Sequence, residues 1–154
     1  MLALLISLFA SIPPRVQAQT QVERVICTEA GFNIRDETQR LGLWIAFVID
    51  NRVNDLQARM FNETTTREDL ITRVLTAKYQ WGHNCKVNKI PAWLTVLARH
   101  VLEDKLHWRA RPKWMTDDIM WVIAASEAKK LGQRWGDKCL AHVELGAAFY
   151  RRCE

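Results

Sequence analysis

After its first residues the chain has no apolar segment near the roughly 20 residues that a helix needs to cross a bilayer. Even its densest apolar run, residues 41–49, gives way to Asp50-Asn51-Arg52, so no stable membrane span is expected. Internal repeats and low-complexity segments are also missing, which leaves an ordinary packed domain. Charge of one sign is nowhere concentrated. Lys and Arg number 22 against 17 Asp and Glu, for a formal charge of +5, but the basic residues are scattered among acids. Without a polybasic tract, an aromatic-and-basic stripe or a reading motif, a nucleic-acid partner is not expected. The mild basic surplus suits an anionic polymer of the cell envelope better. The four histidines, His83, His100, His107 and His142, have no Ser or Cys beside them in the setting of an activated nucleophile. Tight ligand pairs are lacking too. The nearest approach is His83 with Cys85 and Cys139 with His142, a poor match to structural zinc sites, so neither a metal nor a cofactor is expected.

What is present begins with an apolar run over residues 1–11, followed by Pro13-Pro14-Arg15-Val16-Gln17-Ala18. No Lys or Arg precedes the run. It is too short for a bilayer of roughly 30 Å, and the prolines stop it growing. It reads as a signal peptide over residues 1–18, with the small Ala18 at the cut. The alternative is an N-terminal helix that packs on the domain. Cleavage leaves residues 19–154, about 136 residues with a charge of about +4, the size of one domain. All four cysteines, Cys27, Cys85, Cys139 and Cys153, fall in that part, and an even number in an exported chain predicts two disulfides in any of three pairings. The expected location is the periplasm or the extracellular space, with a monomer as the default.

Periodicity predicts four to five helices and a mainly α fold. A first helix over residues 21–33 carries Val22, Val25, Ile26, Glu29 and Asn33 on one face. A second, over residues 38–54, is apolar nearly all round and is the expected buried centre. The polar connection Phe61-Asn62-Glu63-Thr64-Thr65-Thr66 precedes a third, for which Thr65 and Glu68 suggest a capping box and which ends near Tyr79. Pro91 opens a fourth over residues 91–105, and Thr116-Asp117-Asp118 a fifth over residues 116–131, with Gly132 as its stop. The tail, residues 133–154, has no clear periodicity, and Cys139 and Cys153 are expected to staple it to the domain.

Glu29 is the first candidate for chemistry. A carboxylate on an apolar helix face is desolvated, and desolvation raises its pKa toward the range of a proton donor. The bland reading is an acid at the edge of the face, paired with Arg24 or Arg52. The order of three blocks adds to this: Thr28-Glu29-Ala30-Gly31, then Trp44-Ile45-Ala46-Phe47-Val48-Ile49-Asp50-Asn51-Arg52-Val53, then Tyr79-Gln80-Trp81. Over residues 22–81 the chain resembles the SleB-type cell-wall hydrolases. The resemblance implies a small lysozyme-like helical domain that cleaves peptidoglycan glycan strands between N-acetylmuramic acid and N-acetylglucosamine, commonly as a lytic transglycosylase. It maps Glu29 onto the catalytic acid and base. Where the family has a Gly-Glu pair after its Glu-Ala, this chain reads Gly31-Phe32-Asn33.

Asp36, Glu37 and Asp50 are the candidates for a second acid if the enzyme is a hydrolase. Asn51, Gln80 and Tyr150 are candidate hydrogen-bond donors and acceptors for the sugar, Trp81 a candidate stacking platform, and His142 a candidate tail residue of the site. The competing reading belongs to another class. It is a secreted, disulfide-stapled helical module, or an inactive hydrolase relative, that binds an envelope polymer or a partner protein without turnover.

Overall fold

The periodic apolar residues of the first half build four helices. The computed structural model describes residues 12–60, 64–78, 80–86 and 88–154. In it α1 runs over Pro14–Ala30, α2 over Asp36–Arg59, α3 over Arg67–Leu75 and α4 over Ala92–Leu102. The apolar run over residues 1–11, the first three residues of the polar connection, Phe61-Asn62-Glu63, and Tyr79 of the third block lie outside the described residues. Helix α1 opens at Pro14, where the missing N–H has no intrahelical partner to lose. It therefore begins earlier than the expected residue 21 and stops at Ala30, before Asn33. The bond after Ala18 lies inside α1, and Ala18 is 0% exposed in the core.

Helix α2 is the buried centre that its apolar run predicts, packed against α1, α3 and α4. Ile45, Phe47 and Ile49 are fully buried along it, each contributing about 1.5–3 kcal/mol by leaving water. One arginine fastens three helices together. Arg67, the first residue of α3, pairs through Nη2 with Asp50 Oδ1 of α2 at 2.5 Å and donates from Nε to the Val101 carbonyl of α4 at 2.8 Å. The cap of α3 is Thr66, whose hydroxyl accepts from the Asp69 N–H at 3.3 Å, one residue along from the expected Thr65 and Glu68 box.

The second half departs from the helical expectation. Residues 116–131 do not form one helix. Ile119–Ala124 is a strand, β1, and only Ala125–Leu131 is helical, as α5. The aromatic and β-branched Trp121-Val122-Ile123 suits a pleated surface, and it pairs with Tyr150, Phe149 and Ala148. Thr116 and Asp118 imitate an N-cap but bond to each other at the entry to β1. The aperiodic tail supplies β2 (Arg134–Trp135), β3 (Lys138–Glu144) and β4 (Ala147–Arg152). Together they make an antiparallel sheet in the order β1-β4-β3-β2. The fold is thus five helices with a four-stranded sheet, and mainly α describes only its first half.

Strand β4 sits inside the sheet and is buried on both faces. Ala147 and Phe149 join the helical core, while Ala148 and Tyr150 join Ala128 of α5 in a small second core. Trp114 wedges the sheet to the helices, with its ring edge-on to Trp44 of α2 at 5.1 Å and tilted against Phe149 of β4 at 4.8 Å. The two disulfides are Cys27–Cys85 and Cys139–Cys153. Cys139 and Cys153 therefore staple β3 to the end of the tail, within the sheet, and not the tail to the helices. No helix among the described residues is long and apolar enough to cross a membrane.

Candidate functional site

The last turn of α1 carries Cys27, Thr28 and Glu29, and each is tied to the loop that follows α3. Cys27 is bonded covalently to Cys85. Thr28 Oγ1 accepts from the Cys85 N–H at 3.1 Å while donating to the Arg24 carbonyl at 2.7 Å. Glu29 Oε1 accepts from the Gly82 N–H at 2.9 Å. A Cβ on Gly82 would stand 2.5 Å from Thr28 Cγ2 and 3.2 Å from Glu29 Oε1, so only glycine lets the loop approach this closely. His83 holds the same loop from the other side, with Nε2 2.9 Å from the Leu75 carbonyl at the end of α3. Glu29 is half-buried, and its other oxygen has no partner among the described residues. Burial pushes its carboxyl above the ordinary value, opposed by the Gly82 N–H and by nearby His83. That is the environment of a group able to hold and release a proton.

Trp81, next to Gly82, forms one wall of a 250 Å³ concavity whose other aromatic walls are Trp121 of β1 and Trp135 of β2. Cations line it as well. The Arg52 guanidinium lies 5.4 Å from the Trp81 ring, and Lys138 Nζ lies 4.9 Å from Trp121 and 4.7 Å from Trp135. Flat aromatic faces with cations between them suit pyranose rings and anionic groups. A second concavity of 260 Å³ adjoins it, sharing Arg52, Gln80 and Trp121. Glu29 lines neither of the two, and it reaches them only through the Gly82–Trp81 backbone.

The sequence candidates separate accordingly. Gln80 and Trp81 line the groove. Asn51 does not, since it is buried with Nδ2 donating to the carbonyls of Thr116 and Ile119, both at 3.0 Å, and Oδ1 accepting from Arg111 Nη2 at 2.7 Å. It locks α2 to the entry of β1. Tyr150 is fully buried under α5 and donates its hydroxyl to the Gly132 carbonyl at 3.2 Å, which corrects its reading as a sugar contact. His142 stacks on Trp114 at 4.0 Å and meets Glu144 Oε2 at 3.0 Å, away from the groove-lining residues.

Of the candidates for a second acid, Asp50 is committed to Arg67, and Asp36 and Glu37 are exposed in the first turn of α2, where they complement the helix dipole. The pairing of Glu29 with Arg24 or Arg52 does not occur, because its partner is a backbone N–H. Both cysteines of the zinc alternative are used in disulfides, and among the described residues no cluster of three His, Cys, Asp or Glu could hold a metal ion. The groove residues that sequence reasoning passed over are Arg52, Lys78, Trp121, Trp135 and Lys138. They come from separate elements, so no local spacing signals them. No protein-family model, curated protein or solved structure matches the chain.

Proposed function

We propose that the protein is an exported enzyme that cleaves peptidoglycan glycan strands between N-acetylmuramic acid and N-acetylglucosamine, with Glu29 as acid and base. The observation that carries the reading is a half-buried carboxylate with a raised pKa, held by the Gly82 N–H one residue from the tryptophan wall of a cationic groove. Protonated Glu29 gives its proton to the glycosidic oxygen as the C1–O bond breaks. The resulting carboxylate then takes the proton of the substrate's C6 hydroxyl as that oxygen closes on C1, which leaves a 1,6-anhydro end. One carboxylate serves both steps, which accords with the commitment of Asp50 to Arg67. Two disulfides suit an oxidising compartment, and residues 1–18 would supply export.

One observation favours a second reading, that of a module that binds an anionic envelope polymer without turnover. Glu29 lines neither concavity, while cations and tryptophans do. Mass spectrometry of sacculi digested by the protein and by Glu29→Gln separates the two. Anhydro-muropeptides from the parent alone support the transglycosylase. Sacculus binding by both proteins with products from neither replaces it with the binding module.

A further inference from the structure

The 260 Å³ concavity beside the tryptophan groove gathers Arg52 and Arg59 of α2, Arg73 of α3 and Arg152 of β4 around a single carboxylate, Asp55. Asp55 Oδ2 lies 2.7 Å from Arg59 and 3.7 Å from Arg152, so two of the four guanidinium groups share it. The other two have no carboxylate at ion-pair distance among the described residues. Arg73 Nη1 lies 3.7 Å from Met60 Sδ, and the Arg52 guanidinium lies over the Trp81 ring, with Asp55 acting on it from beyond ion-pair distance. Arg52 is half-buried, and burial, with Asp55 opposing and Arg59 adding, brings its pKa down to about 10. It stays charged at neutral pH with part of its hydration removed. A partly desolvated guanidinium with no hydrogen-bond acceptor among the described residues is a site short of an anion, and its planar fork fits carboxylates bidentately.

The remaining walls point to the body that carries the anion. Leu56, Val74, Ala77 and Met120 give the arginine pocket a mainly aliphatic lining with one tryptophan, the shared Trp121, whereas the neighbouring groove has three tryptophans beside Val122 and Ile123. Sugar rings suit the tryptophans, and a short aliphatic chain bearing carboxylates suits the arginine pocket. We infer that this pocket binds the carboxylates of the peptide stems that branch from the glycan strand. The chain thereby prefers strands whose stems are present and charged. The inference rests on the glycan strand being the ligand of the tryptophan groove.

The test uses the full chain carrying Glu29→Gln, so that bound strands persist, and measures its affinity for stem-bearing glycan strands before and after amidation of their carboxyl groups. The expected result is about tenfold tighter binding of the charged strands, with a difference that shrinks as salt is raised. Adding Arg73→Gln and Arg152→Gln, both at exposed positions, removes two of the four guanidinium groups and should cut that preference to about threefold or less in a protein that melts like its parent. Equal binding of charged and amidated strands overturns the stem subsite and leaves the glycan reading standing. A preference left undiminished by the double substitution overturns its assignment to this pocket. Binding of neither strand overturns the glycan reading and the inference with it.

Discussion

Replacing Asn51 by alanine separates its two readings, as a sugar contact and as a structural lock. The side chain makes three hydrogen bonds: two donated to carbonyls at the entry to β1 and one accepted from a guanidinium. Its amide is buried, and so is Ile119, whose carbonyl it satisfies. Two neutral bonds at about 1 kcal/mol each, with a charge-assisted one at about 1.5–3 kcal/mol, predict a loss of roughly 3.5–5 kcal/mol. For a domain of this size that lowers Tm by about 10–15 °C. Arg111 keeps its ion pair with Asp117, so the variant should still fold. Asn51→Asp sharpens the test. Its carboxylate can still accept from Arg111 but faces two carbonyls, so the variant should be destabilised at neutral pH and recover on acidification as it protonates. The assay is thermal melting by circular dichroism, alongside sacculus binding measured well below Tm. An Asn51→Ala variant that melts within a degree or two of the parent and loses sacculus binding would refute the lock and restore Asn51 as a sugar contact.

The disulfides should differ in weight. Cys27–Cys85 closes 58 residues and Cys139–Cys153 closes 14. Chain entropy then predicts losses of about 4 and about 3 kcal/mol when each pair is replaced by serine. Denaturant unfolding of the two double variants checks the order, and equal midpoints would show that loop length does not govern it. Glu29→Gln should raise Tm at neutral pH. The folded state holds the carboxyl proton more tightly than the unfolded chain, so ionised Glu29 opposes folding above its raised pKa and ceases to do so below the ordinary carboxylate value. The gain should therefore fade as pH falls through that window. A gain that grows on acidification would mean that the Gly82 bond outweighs burial.

The helical half was legible because its burial is one-sided or complete over long stretches. Val22, Val25 and Ile26 mark the face of α1, and the continuous run in α2 marks a helix buried all round. The sheet was not legible, for two physical reasons. Strand β4 is buried on both faces over Ala147-Ala148-Phe149-Tyr150, so it shows no alternation. Its hairpin with β3 turns through Leu145 and Gly146, both at positive φ, and leucine is not a residue that announces such a turn. The site was half-legible. Glu29, Gln80 and Trp81 lie in local blocks, whereas the cations and the other tryptophans meet only when α2, β1, β2 and β3 are assembled. Tyr150 misled because a polar atom in a buried setting reads the same whether its partner is a ligand or the chain's own carbonyl.

The three ties between the end of α1 and the 82–85 loop are not equivalent in time. Two are hydrogen bonds that form whenever the segments meet, but Cys27–Cys85 forms only when the chain is oxidised. Residues 27 and 29 share one helical turn, so the covalent tie fixes the neighbourhood in which the Gly82 N–H finds its carboxylate. A newly made, reduced chain presents Glu29 on a helix end without that anchor, and an oxidised chain presents it against a fixed backbone donor. Oxidation then shapes the surroundings of the Glu29 carboxyl itself, separate from its contribution to stability.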